Sequence, residues 1–424
     1  MKPTITETLG GYEFEFNNGL VAEVKRLHSH RDGRITGDIT FLLSDKVDTQ
    51  GATSKFLTIY PPTQINIMAA RSRKELANAL QLKLNQAIGE EAIEVYPCDL
   101  IIDQLCYGVQ DRIRQGEPTQ ELWTHQDVKP PEYLLEPILF KGLPTVIFGE
   151  KGVAKSTLSL ALYTCLTLPW EDNPLELTPP NHAVKTMILD WETEQDIVLW
   201  SLKRLQEGSG LPHFPLYYRR CNLPLKDDLE QIQKALKSRD IEAVIIDSLG
   251  AAAGSDDLKG KDSALGYFEA LRSLKVSSIS LAQTSKNQDD KRKTIFGSTY
   301  FTYYARNIFE LCKSDDTDVM RIALFHRSSN LSKLYNPMGF RIDYNGNKME
   351  IKREAVSYGE FIKKISGQAS LLESLKVSPK SARELAEDIG WAESSTRVLL
   401  SRLKKQGRVI NLPDKTWGLV VVSS

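Results

Sequence analysis

A chain of 424 residues, 41% hydrophobic and 26% charged, is long enough for roughly two to four domains and too apolar to be disordered throughout. Its 54 Lys and Arg against 55 Asp and Glu give a net charge of -1, so any nucleic-acid-binding surface must be local. No apolar run approaches the roughly 20 residues of a membrane span, and no apolar leader follows the N-terminus, which predicts a cytoplasmic protein with no membrane partner. The five cysteines lack C-x-x-C spacing, against structural zinc and a disulfide framework.

Residues 1–115 read as a small α+β domain. Tyr12 to Phe16 alternates apolar and polar, the period of a half-buried strand. Strand-like runs at 20–29 and 35–43 flank Asp32-Gly33, a tight-turn dipeptide, and Phe56 to Tyr60 is a further strand candidate. Arg71 to Gln86 predicts a helix stopped by Gly89, and 98–115 a second helix with Leu100, Ile101, Leu105, Val109 and Ile113 on one face. His28 and His30 would share a strand face, either as solvated residues beside the turn or as a metal pair lacking a third ligand. Lys25, Arg26, Arg31 and Arg34 bracket the turn, either as a basic grip for DNA or as a solvated hairpin tip. Four prolines between 116 and 137 predict a linker.

From 138 to 355 strands alternate with helices, the pattern of a mainly parallel sheet covered by helices. The strands are expected at Pro144–Phe148, Thr186–Asp190, Leu216–Cys221, Ala243–Asp247 and Ser277–Ala282. An antiparallel extension is expected at Val319–His326, Phe340–Tyr344 and Lys348–Lys352, with an Asn345-Gly346 hairpin.

After the first of these strands comes Gly149-Glu150-Lys151-Gly152-Val153-Ala154-Lys155-Ser156-Thr157, which opens a helical run. That strand–loop–helix setting is what a Walker A phosphate loop requires. Its glycines let backbone N–H groups converge on phosphate oxygens beside a helix N-terminus. Lys155 would neutralise β- and γ-phosphate charge, and Ser156 would place a hydroxyl on Mg²⁺. Ala154 stands where the usual pattern has glycine; if the position needs positive φ, alanine costs about 1 kcal/mol.

Two other strands end in acids. Ala243–Asp247 reads as a Walker B strand whose Asp247 orders Mg²⁺, but Ser248 follows it where some ATPases carry the catalytic glutamate. The base is therefore expected at Glu192, after the apolar strand ending in Asp190, taken to lie beside the phosphate-loop strand. The plainer reading of Glu192, with Glu194 and Asp196, is acidic decoration of a helix N-terminus. Gln283 ends a further strand, either facing the γ-phosphate or as a buried structural amide.

These segments, with Phe296 to Leu311, His326 to Asn330 and Asn336 to Gly339, resemble the RecA-like ATPases, in particular the plasmid RepA hexameric helicases and the related DnaB and KaiC types. The resemblance spans about 135–355 and implies ATP and Mg²⁺, a homo-oligomeric ring with a hexamer favoured, and active sites shared between subunits. Arg327 matches the strand end from which ring helicases reach a neighbour's γ-phosphate, with His326 and Lys286 as supporting candidates; otherwise it is an exposed arginine at a strand end. Lys291 and Arg292 match loops that touch single-stranded DNA in the pore, or form a solvated charged loop.

Residues 366–424 resemble a winged helix-turn-helix. A helix Ser381–Gly390 is followed by a second, capped by Ser394 or Ser395, with Val398, Leu399 and Leu403 inward. That leaves Arg397, Ser401, Arg402, Lys404 and Lys405 for duplex DNA, unless the module is a protein contact. The whole predicts an α/β protein: a RecA-like, mainly parallel sheet flanked by helices, with a small N-terminal α+β domain and a C-terminal winged-helix domain. The expected function is an ATP-hydrolysing motor on DNA, helicase-like, in replication or maintenance of a mobile element. The alternatives are an ATP-gated DNA-binding regulator that unwinds nothing, and a KaiC-like regulatory ATPase with a protein partner.

Overall fold

The computed structural model describes residues 2–8, 10–30, 32–44, 56–89, 92–116, 119–123, 129–254, 261–284, 295, 300–314, 319–356, 361, 371–372, 374–376, 378–389 and 391–420. They form two compact units, Met1–Lys129 with Asp227–Lys234, and Pro130–Lys226 with Ala235–Ser424.

The first unit is a five-stranded antiparallel meander of β1 (Thr4–Thr8), β2 (Gly11–Glu15), β3 (Leu20–Ser29), β4 (Ile35–Ser44) and β5 (Phe56–Asn66). It continues into α1 (Ala70–Ile88), α2 (Ala92–Val95) and α3 (Cys98–Gln115). Apolar stripes of α1 (Leu76, Leu80, Leu84) and α3 (Ile101, Leu105, Val109) share a core with Phe14, Phe16 and Phe41 of the sheet segment. Gly108 makes the close approach possible, since a Cβ there would meet the Phe14 ring at 2.7 Å. Strand β1 is missing from the sequence expectation because Thr4–Thr8 offers one aliphatic residue, Ile5, and no apolar alternation.

The hairpin between β3 and β4 turns at Gly33, with φ +83°, and Asp32 Oδ1 accepts from the Arg34 N–H at 3.1 Å. Among the described residues, the basic side chains around it are each paired with an acid. Lys25 pairs with Glu23 at 2.7 Å, Arg34 with Asp32 at 2.6 Å, and Arg26 with Asp38. Arg31 lies outside the described residues. His28 and His30 pack edge to face, ring centroids 4.5 Å apart.

The second unit opens with a short hairpin, β6 (Tyr133–Leu135) and β7 (Leu139–Phe140), so the final residues of the expected linker lie in a strand with Leu134 and Leu135 buried. Then come β8 (Pro144–Gly149), α4 (Lys155–Thr167), β9 (Thr186–Asp190), α5 (Gln195–Ser209), β10 (Tyr217–Arg220), α6 (Leu229–Arg239), β11 (Ala243–Asp247), α7 (Leu249–Ala253), α8 (Lys261–Ser273) and β12 (Ser277–Gln283). After α9 (Tyr300–Tyr304) follow β13 (Asn307–Lys313), β14 (Met320–Ser329), β15 (Met338–Asn345) and β16 (Lys348–Glu354).

One nine-stranded sheet runs β10-β9-β11-β12-β8-β13-β14-β15-β16. It is parallel from β10 through β13 and antiparallel beyond. The mainly parallel sheet flanked by helices is as expected from the sequence, with two corrections to the expected layout. Strand β9 is not beside β8, because β11 and β12 lie between them. Strand β13, unread in the sequence, is the parallel neighbour of β8 on its other side; Asn307, Glu310 and Lys313 interrupt its apolar run. Helix α4 is buried on nearly every side from Leu158 to Leu166, so it lacks a charged face, and its buried Ser159 and Thr164 hydroxyls donate to backbone carbonyls of the same segment.

At the C-terminal end stand α10 (Ala382–Ile389), α11 (Glu393–Lys405) and a two-stranded ribbon of β17 (Val409–Asn411) and β18 (Trp417–Leu419). They enclose a separate core of Leu371, Leu375, Leu385, Leu400, Leu403 and Val409. A reciprocal cap starts α10: the Ser381 N–H donates to Glu384 Oε2 at 2.7 Å, and the Glu384 N–H to Ser381 Oγ at 3.2 Å. Two expectations for α11 are corrected. Ser394 and Ser395 lie inside the helix, whose N-cap is Ala392 without a side-chain cap. Val398 faces outward, 53% exposed, and Leu400 is buried in its place. The inward row is Thr396, Leu399, Leu400 and Leu403, a strict i, i+3, i+4, i+7 stripe that excludes position 398.

Candidate nucleotide site

The parallel strands β8, β11 and β9 deliver a lysine, a hydroxyl and two carboxylates to one place. Strand β8 is buried from Thr145 to Phe148, the Thr145 hydroxyl donating to the Ile138 carbonyl at 2.7 Å, and its end passes straight into Gly149 to Ala154. Gly149 admits no side chain, because a Cβ would lie 2.5 Å from the Leu311 carbonyl oxygen of β13. Gly152 turns with φ +81° in open space, and Ala154 is left-handed at φ 64°, ψ 33°. Ala154 is also the N-cap of α4 and supplies no side-chain cap, so the first-turn N–H groups remain available to an anion.

Lys155 folds back over the loop, its Nζ donating to the Gly149 carbonyl at 2.9 Å and the Glu150 carbonyl at 2.7 Å. Burial pulls its ammonium below the ordinary lysine value, against the pull of Asp247 and Glu192. Ser156 Oγ donates to Asp247 Oδ2 at 2.8 Å. Burial raises the Asp247 carboxyl to about 6, opposed by the Ser156 hydrogen bond and reinforced by Glu192 and Asp190. A hydroxyl beside a carboxylate is an oxygen donor set that suits Mg²⁺.

Glu192 joins this group although its strand is two places further from β8 than expected. The Trp191 N–H donates to the Asp247 carbonyl at 2.7 Å, which extends the β9–β11 pairing past the strand ends. Ser248 Oγ then donates to Glu192 Oε1. The residue that replaces a second acid after Asp247 therefore holds the acid supplied by the other strand. Glu192 does not cap α5, whose N-cap is Glu194 with no side-chain bond. Gln283 ends β12 in register with Gly149 and is exposed, so it is not a buried structural amide.

Arg327 lies on β14, where Nε donates to Glu310 Oε2 of β13 at 2.7 Å and the guanidinium stacks over Phe325. His326, a supporting candidate in the sequence, is turned into the fold. It is buried, its Nδ1 accepts from the Tyr335 N–H at 3.1 Å, its Nε2 faces Asn307 Oδ1 at 2.7 Å, and its ring stacks on Phe309. Burial pushes its pKa below the ordinary histidine value, favouring the neutral ring. Lys286, Lys291 and Arg292 lie outside the described residues. On α11, Ser401, Arg402, Lys404 and Lys405 are exposed, while Arg397 is bonded to Glu393 one turn earlier at 2.9 Å. The bond of Ser248 to Glu192 and the pairing of Glu310 with Arg327 escaped the sequence reading; Ser248 was visible after Asp247 without its partner, and nothing local pointed to Glu310.

Comparison with known proteins gives one family match and a set of solved structures. Residues 112–289 match the family described as AAA domain, a span that holds the phosphate loop, Glu192, Asp247 and Gln283. No curated protein matches. Among solved structures, a KaiC-like protein from the hyperthermophilic archaeon Pyrococcus horikoshii aligns over 52% of this chain and 95% of its own, with 12% identity and a TM-score of 0.37. No described helix is long and apolar enough to cross a membrane.

Proposed function

We propose that this chain binds and hydrolyses ATP with Mg²⁺ and couples that cycle to DNA as a ring-forming, helicase-like motor. One observation supports the hydrolytic part above others: Lys155, Ser156, Asp247 and Glu192 converge from three strand ends, with Ser156 Oγ 2.8 Å from Asp247 Oδ2. Gly149 to Thr157 bind the phosphates through backbone N–H groups, and Lys155 exchanges its loop carbonyls for β- and γ-oxygens. Ser156 and Asp247 hold Mg²⁺, which supplies charge neutralisation on the phosphates. Glu192 takes a proton from the attacking water, and Gln283 bonds the γ-phosphate. Arg327 acts across a subunit interface, and α11 of a winged helix-turn-helix module enters the duplex major groove with Ser401, Arg402, Lys404 and Lys405 outward.

Lys155→Ala should abolish turnover. Glu192→Gln should keep ATP binding while lowering the rate about 10²–10⁴-fold, the usual contribution of a general base. Normal hydrolysis by Glu192→Gln would remove the base assignment. A second reading, an ATP-gated duplex-binding regulator that unwinds nothing, draws on the exposed basic residues of α11, a surface suited to duplex DNA. Strand separation on a forked duplex decides between the two.

A further inference from the structure

The catalytic proposal leaves one well-built group of side chains without a task. Strand β10 runs parallel to β9 with Tyr218 opposite Ile188 and Arg220 opposite Asp190. Tyr218 and Arg220 are two residues apart, so both point to the same side of the strand. Tyr218 Oη donates to the Thr193 carbonyl at 2.8 Å, and Arg220 Nη1 donates to the same oxygen at 3.0 Å. Asp190, 1% exposed, accepts on Oδ1 from the N–H groups of Glu192 at 2.8 Å and Thr193 at 2.9 Å. Arg220 Nη1 lies 3.7 Å from that same Oδ1 and so neutralises the carboxylate that makes the turn. Both N–H groups and the far carbonyl of the Glu192–Thr193 turn are thus held, and the Trp191 N–H ties its other side to Asp247.

We infer that Tyr218 and Arg220 are positioning residues for Glu192: they fix the turn that carries the base, so that the carboxylate held by Ser248 stands at one place over the phosphate loop. The inference rests on the reading of Glu192 as the base. It has a physical rationale in the exposure of Glu192 itself. A long acidic side chain on an exposed turn samples many rotamers, and misplacement by about 1 Å can cost a reaction on the order of 10²-fold. Anchoring the backbone on both sides of residue 192 leaves only the side-chain torsions free. The two donors differ in kind. Tyr218 contributes a neutral hydrogen bond, while Arg220 also supplies charge to Asp190, and a buried carboxylate deprived of its cation would loosen its hold on the turn.

The test uses the full chain with Mg²⁺ and ATP, and Tyr218→Phe, Arg220→Ala and Arg220→Lys, each in the parent and in the Glu192→Gln background. In the parent background, Tyr218→Phe and Arg220→Ala should lower kcat on the order of tenfold, with KM for ATP unchanged within about twofold, because the phosphate loop is untouched. Arg220→Lys should recover part of the loss, since it keeps the charge near Asp190. In the Glu192→Gln background the same changes should have no further effect on the residual rate, the signature of residues that act through residue 192. Parent-level kcat in both single variants, or a full further loss on top of Glu192→Gln, overturns the inference. If Glu192→Gln itself turns over normally, the base reading falls and this inference falls with it. If Glu192→Gln is inactive while Tyr218→Phe and Arg220→Ala run at the parent rate, only the positioning role is lost.

Discussion

At the scale of single residues, two positions in the nucleotide site run against ordinary preference, and each yields a measurement. Ala154 sits at φ 64° in the left-handed region, where a Cβ crowds the following carbonyl at a cost of about 1–2 kcal/mol. Ala154→Gly removes that strain, partly offset by glycine's larger entropy loss on folding, so thermal unfolding should show a gain of up to about 1 kcal/mol. Ala154→Val, with a branched Cβ in the same turn, should weaken ATP binding, as read by nucleotide titration, while the rest of the fold persists. Asp247 is the second position. Its folded-state pKa of about 6 lies above that of an unfolded aspartate, so the folded chain holds the proton more tightly. The stability from that proton is fully present below about pH 4 and is lost as pH rises through about 6. Asp247→Asn keeps the shape without the charge. Without Mg²⁺ or nucleotide it should be more stable than the parent at pH 8, and the difference should shrink as pH falls to 5. A pH-independent difference in unfolding midpoint would refute this account of the burial.

Elements were legible where their period was clean. The strands Thr186–Asp190 and Ala243–Asp247, the helical run after the phosphate loop and the Asn345-Gly346 hairpin follow from apolar runs and turn chemistry. What the sequence could not carry is lateral order. Glu192 was expected to reach the site because its strand adjoins the phosphate loop; it arrives by a longer route, through Trp191 and Ser248, across β11. Nothing local in a strand states which strand lies beside it, and β13 was hidden for a related reason, since its polar residues face partners supplied from elsewhere, such as Glu310 facing Arg327. In α11 the error was one of phase. Placing Val398 inward breaks the 3.6-residue period that Thr396, Leu400 and Leu403 keep. The observed phase predicts that Leu400→Ala, in a fully buried position, costs about 2–5 kcal/mol in the stability of the α10–α11 core. Val398→Ala should stay within about 0.5 kcal/mol of the parent, as surface changes do. Amide exchange across 378–420 separates the two. On the outward face, Arg402, Lys404 and Lys405 replaced together by alanine should weaken duplex binding and flatten its salt dependence by about 0.9 per lost phosphate contact. Arg397 is a poorer choice, because Glu393 already engages its guanidinium. Equal duplex affinity across a salt series would mark α11 as a protein contact instead.

For the whole molecule the open matter is assembly, and Arg327 is where it can be tested. Two roles compete for its guanidinium. Within the chain it is the partner of Glu310, whose side chain is 8% exposed, and the pair is held at 2.6 Å. Across an interface, the proposed ring would have it reach a neighbour's γ-phosphate. Loss of activity in Arg327→Ala alone does not separate these roles, because removing the cation strands a buried carboxylate at a cost on the order of 3 kcal/mol and the chain could fail by unfolding. The double variant Glu310→Gln with Arg327→Ala removes that penalty, since neither partner then carries charge. If Arg327 serves only the fold, the double variant should recover both the parent's unfolding temperature and its ATPase rate. If Arg327 acts in trans, the double variant should regain stability yet stay inactive. Mixing it with Glu192→Gln subunits should then restore part of the rate, because an interface pairing an intact Glu192 from one chain with an intact Arg327 from the next is complete. We expect the second outcome. Mixed oligomers, verified by mass, that never exceed the rate of either variant alone would refute a shared site, and a chain that stays monomeric with ATP and DNA would refute the ring itself.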